Sequence, residues 1–111
     1  MISRPATRFH PVPPLAGAYE LYPLDTLDVT GARQAQVGVV RFGAGHRSPP
    51  EGFRTSAAHE LATLLEGRVR VDLPDGASRI VGPGEVIVSS PAEAHATTAL
   101  EDTVILYVLV G

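Results

Sequence analysis

Arg68-Val-Arg-Val-Asp-Leu73 alternates polar and apolar residues at period two and runs straight into Pro74-Asp75-Gly76. Alternation at that period is what a strand with one buried and one wet face requires. Proline, aspartate and glycine in succession are turn chemistry, so the segment predicts a hairpin with the short run Ala77 to Val81. Tyr19 to Tyr22, Gln34 to Phe42, Glu60 to Leu65, Glu85 to Ser90, Ala94 to Leu100 and Thr103 to Val110 read as further strands, punctuated by Gly82-Pro83-Gly84, Pro91 and Glu101-Asp102. No long helix fits between them. About six to eight short strands at this spacing predict an all-β fold, an antiparallel sandwich or barrel.

With 111 residues the chain has the size of a single domain. It contains no cysteine, which removes disulfide frameworks, thiolate metal sites and cysteine nucleophiles. All nine basic residues are arginine, so there is no lysine for a Schiff base or a P-loop. The formal charge of -3, with no basic cluster, argues against nucleic acid as a partner. No apolar stretch approaches 18 residues and the first ten lack a signal-peptide core, so no membrane partner is expected and a cytoplasmic location is the default. A chain this short buries a modest share of its surface, so a homodimer is expected, formed through an edge strand or the proline-rich N-terminal arm.

Residues 1–17 contain Pro5, Pro11, Pro13 and Pro14 and read as an extended arm, leaving 18–111 for the β domain. Of the four histidines, His10 falls in the arm and reads as solvated, and His46 follows Gly43-Ala-Gly45 and reads as a loop residue. His59 and His95 stand near the starts of predicted strands. In an antiparallel barrel such strand ends converge on one mouth, where binding groups surround an apolar cavity.

Glu60-Leu-Ala-Thr-Leu-Leu-Glu-Gly67 has a glutamate followed, after six residues, by glycine, and Arg68-Val-Arg-Val71 continues it. Gly82-Pro-Gly-Glu-Val-Ile-Val-Ser-Ser-Pro91-Ala-Glu-Ala-His95 has a Pro-Gly-acid opening, a β run, then proline and histidine. These segments resemble the two sequence motifs of the cupin superfamily, with the short spacer, 15 residues from Gly67 to Gly82, of a minimal single-domain member. The resemblance spans roughly residues 35 to 110 and implies a jelly-roll barrel of two antiparallel sheets. Cupins typically hold a divalent metal with a His-x-His element, the motif glutamate and the second-motif histidine. Here no His-x-His is present, and the positions where that pair would fall, around Phe53 to Ser56, read Phe-Arg-Thr-Ser.

Glu60 and His95 are the matched positions, as catalytic acid and base or as metal ligands. His59 is the one neighbour available as a third ligand for zinc, iron, manganese, nickel or copper, although adjacent strand residues point to opposite faces unless a bulge turns one round. For Glu60 the ordinary alternative is an ion pair with Arg54. If Glu60 faces inward, Ala62 and Leu64 follow, and His95 brings Thr97 and Ala99. His59, Phe53 and Tyr107, with Phe42, are candidates for the ligand-binding wall, and Arg54 for holding an anionic group by a charge-assisted pair. Three functions stay open: a small-molecule enzyme acting on a polar organic substrate, with or without a metal; a metal-free binding or sensing module; and a barrel filled by its own side chains that acts only as a structural partner.

Overall fold

The computed structural model describes residues 7–29, 31 and 33–111. They form nine strands: β1 (Tyr19–Asp28), β2 (Gln34–Phe42), β3 (Arg47–Ser48), β4 (His59–Glu66), β5 (Val69–Asp72), β6 (Ser78–Val81), β7 (Val86–Ser89), β8 (Ala96–Ala99) and β9 (Thr103–Val110). A five-stranded sheet in the order β1-β2-β9-β4-β7 faces a four-stranded sheet in the order β3-β8-β5-β6, and every pairing is antiparallel. The fold is the expected all-β jelly roll. Among the described residues no helix is long and apolar enough to cross a membrane.

Strands β2 and β9 occupy the residues that periodicity indicates, and β4 to β8 differ by a residue or two at their ends. Two features depart from expectation. β1 continues through Pro23 to Asp28, where the proline suggested a break, because β1 is an edge strand and its register shifts between Pro23 and Asp25. On an edge strand, the positions whose N–H points away from the paired neighbour accept proline without loss of a ladder bond. The two-residue β3 has no periodicity to read; it exists only as a partner of β8 through Arg47↔Thr98 and Ser48↔Thr97.

The turns explain the glycine skeleton. Gly76 takes a φ of 91° in the hairpin between β5 and β6, where the Leu73 carbonyl accepts from its N–H at 3.0 Å and the Asp75 carboxylate accepts from the Ala77 N–H at 2.9 Å. Before β7, the Glu85 carboxylate turns back to accept from the Gly82 N–H at 3.1 Å and pairs with Arg79 at 2.7 Å. Gly67, at φ 94°, joins β4 to β5 under strand β9. There the buried Thr103 hydroxyl accepts from the Arg68 N–H at 3.1 Å and donates to the Glu101 carbonyl at 2.8 Å.

Leu64, Val69, Val81 and Ala99 pack with Val40, Phe42, Ile105 and Tyr107 into one cluster between the sheets. Tyr107 is flanked by Gly38 of β2 and Ala62 of β4, its direct cross-strand partners. Small residues on both sides make room for the ring, and a Cβ on Gly38 would stand 2.3 Å from the Tyr107 hydroxyl.

Of the arm expected over residues 1–17, residues 1–6 lie outside the described residues, and 7–18 form no strand. The segment is nonetheless tied to its own sheet. Arg8 Nε donates to Asp25 Oδ2 at 2.6 Å, His10 Nε2 meets the same oxygen at 2.8 Å, and the Gly17 carbonyl accepts from Arg41 Nε at 2.9 Å. His10, read as merely solvated, is thus exposed but held.

The hydrogen bonds from Arg8 and then His10 hold the Asp25 carboxyl far below the usual carboxylate range. The Ala44 N–H, with Arg41 behind it, lowers Asp102, and the Gly82 N–H followed by Arg79 lowers Glu85 against an opposing desolvation. In the folded chain these groups bind fewer protons than in the unfolded one. Their contribution is complete above the unfolded values near ~4 and is lost as pH falls through the lowered folded values. The thermal midpoint should therefore be nearly flat from pH 7 to about 5 and fall below ~4. Because the pairs are exposed, salt should flatten that fall. Asp25→Asn should leave the barrel folded, reduce the acid dependence and speed tryptic cleavage after Arg8. Cleavage no faster than in the parent protein would show that Asp25 does not anchor the segment.

Candidate functional site

Among the described residues, one cavity of about 290 Å³ lies between the edge strands β6 and β7, and its two charged side chains, Arg79 and Glu85, are paired with each other. The second, about 220 Å³, lies between the sheets, with Val71 and Ile87 common to both. Its wall is largely apolar, built by Val40, Phe42, Ile105, Tyr107 and Leu109 from the five-stranded sheet. Glu60, His95 and Arg54 reach this second cavity together.

Each arrives by simple strand geometry. Glu60 stands on β4 between Leu109 of β9 and Ser89 of β7. Alternation along β4 places Glu60 and Ala62 on the cavity wall and Leu64 in the core cluster beyond, as the pattern implied. His95 immediately precedes β8 in the opposite sheet, with Thr97 beside it in the wall and Ala99 in the core. Arg54 is bridged to His95 by two backbone hydrogen bonds, its N–H donating to the His95 carbonyl at 3.0 Å and the His95 N–H donating to the Arg54 carbonyl at 3.1 Å. A directly opposed antiparallel pair carries its side chains on one face, and here both line the cavity. Among the described residues Glu60 and Arg54 form no salt bridge, so the anticipated pair between them is absent.

Three expectations need correction. His59 lies outside the cavity wall and is exposed, because no bulge falls at the start of β4 and the pleat turns it away from Glu60. Phe53 is likewise outside the wall, 43% exposed, with the Arg47 guanidinium 5.8 Å from its ring. Third, the set His59, Glu60 and His95 does not assemble: among the described residues no group of three or more histidine, cysteine, aspartate or glutamate side chains is placed to hold a metal. Glu60 and His95 supply two donors from opposite sheets and share their cavity with Arg54, a poorer donor set than the three protein ligands of a catalytic zinc site.

Tyr107 takes its expected place, and burial, followed by the nearby Tyr19, raises its phenol above the ordinary value, keeping the hydroxyl a donor. His46, read as a loop residue, packs its ring 5.1 Å from Phe42 and 5.2 Å from Tyr19, behind two aromatic members of the wall. Sequence reasoning missed Gln36, Ser48 and Tyr19 in the wall. Gln36 was within reach, since period-two alternation back from Phe42 passes through it. Ser48 and Tyr19 depend on β3 and on the β1 pairing, which carry no local signal.

No protein-family model matches the chain, and no curated protein matches it in sequence. Solved structures do match it. A mannose-6-phosphate isomerase-like protein from Ralstonia eutropha JMP134 is 22% identical with a TM-score of 0.68, over 88% of this chain and 89% of that one. A cupin superfamily protein from Desulfitobacterium hafniense DCB-2 is 15% identical with a TM-score of 0.65, over 82% of this chain and 75% of that one. A DMSP lyase from Ruegeria pomeroyi DSS-3 is 23% identical with a TM-score of 0.60, over 69% of this chain and 38% of that one.

Proposed function

Because the chain has a cupin-type fold, we propose that its inter-sheet cavity takes a small polar organic molecule and that Glu60 and His95 move protons on it. The observation that carries this reading is the convergence of Glu60, His95 and Arg54 on a largely apolar cavity of about 220 Å³, whose wall also holds Gln36, Ser48 and Thr97. Apolar walls with a few convergent polar groups are the general form of a small-molecule site. Glu60 and His95 come from opposite sheets, so a bound molecule lies between them. That placement suits a base on one side and an acid on the other. Imidazole exchanges protons near neutral pH, and the Tyr107 hydroxyl supplies a further donor in the same wall.

The reaction class this supports is proton transfer at carbon or oxygen, as in an isomerisation or an elimination. It can be read without knowing the natural substrate. In D2O, the protein is expected to accelerate deuterium incorporation into at least one of a set of small carbon acids, such as acetone, dihydroxyacetone and pyruvate, followed by NMR against buffer alone. Glu60→Gln and His95→Gln should each lower that rate by about 100-fold or more while keeping the fold, the range expected for loss of a general acid or base. The second reading, a binding or sensing module without catalysis, is favoured by the missing His-x-His element. Ligand binding with no exchange above buffer would establish it in place of the first.

A further inference from the structure

Arg8, Arg41, Arg47, Arg68, Arg70 and Arg79 are each held by a carboxylate or a backbone carbonyl. Among the described residues the guanidiniums of Arg33 and Arg54 make no such bond, and both residues are exposed. What sets Arg54 apart is position: its backbone is locked to His95 by two hydrogen bonds, and among the described residues it is the one arginine in the wall of the inter-sheet cavity. A fixed backbone with an uncommitted fork of donors at a cavity mouth is an arrangement that seats a planar anion bidentately.

The rest of the cavity narrows the ligand. Glu60 on the opposite wall disfavours a dianion in the same space. Val40, Ile87, Ile105 and Leu109 form an apolar stretch of the wall that suits a compact apolar body, with Gln36, Ser48 and Thr97 as the uncharged polar groups beside it. A volume of about 220 Å³ lies below the ~300–1,000 Å³ of cavities that take drug-sized ligands. We propose that the cavity selects a small monocarboxylate with a compact apolar body, its carboxylate paired with Arg54 and its body directed between Glu60 and His95. This rests on the reading of the cavity as a small-molecule site. The cation of the site is the guanidinium, standing at the position where the sequence lacks the histidine pair.

Isothermal titration with benzoate, benzyl alcohol and inorganic phosphate tests it on the full chain. Benzoate is expected to bind 10- to 100-fold more tightly than benzyl alcohol, the range of a hydrogen-bonded charge pair. Arg54→Met should bring benzoate down to the level of the alcohol, and Arg54→Lys should keep part of the preference. The bridge to His95 is made by backbone atoms, so both variants should keep the parent thermal midpoint. Equal binding of benzoate and benzyl alcohol would overturn the anion seat while leaving the small-molecule cavity standing. Binding of phosphate but not benzoate would overturn the apolar-body assignment, and binding of neither aromatic compound would remove the cavity reading along with the proposal.

Discussion

Gly67→Ala should destabilise the protein by about 2–5 kcal/mol, a large part of the ~5–15 kcal/mol that holds a typical domain together. Two separate costs add. At φ 94° an L side chain sits in the left-handed region, and the new Cβ would stand 2.3 Å from the Thr103 hydroxyl and 2.5 Å from the Asp102 carbonyl. The second cost falls on backbone and on a fully buried threonine, neither of which can swing aside. Gly76 provides the control, with a φ of 91° and nothing within 4 Å of where a Cβ would stand. Gly76→Ala should therefore cost only the conformational part, about 1–2 kcal/mol, and Gly76→Asn less. Gly67→Asn should not be rescued in the same way, because asparagine tolerates the backbone angle but brings the same Cβ. Urea unfolding of the four variants separates the two costs; similar midpoints for Gly67→Ala and Gly76→Ala would show that close approach to β9 is not the constraint.

Gly38→Ala is the next most damaging change expected, and it reaches the site as well as the fold. The added methyl would stand 2.3 Å from the Tyr107 hydroxyl and 2.5 Å from the carbon bearing it, so the ring must leave its place between β2 and β4. Displacing a buried aromatic in a packed core costs about 1–3 kcal/mol, and a ring forced toward the inter-sheet space takes up volume that a ligand needs. Binding of benzoate should weaken together with stability. In a Tyr107→Leu background the same Gly38→Ala change should be nearly neutral, since the atoms it strikes are gone. A coupling energy near zero in that double-mutant cycle would contradict the contact.

Local pattern carried much of this protein. Alternation and turn residues locate β2 and β9 to the residue and most of the other strands to within two, because one buried face imposes period two on the sequence itself. The same alternation ranks Glu60, Ala62 and Leu64 along one wall and warns that His59 points the other way. The two motif segments brought the correct fold into view through turn glycines, whose role is local at Gly84 before Glu85 but at Gly67 also depends on the close approach of β9. What lies opposite what was decided only in three dimensions. The edge position of β1, which lets the strand run through Pro23, and the existence of β3 depend on partners far along the chain. So do the pairing of Gly38 with Tyr107 and the bridge that sets Arg54 beside His95. Strand register is a property of two segments at once, and no window along a single segment contains it.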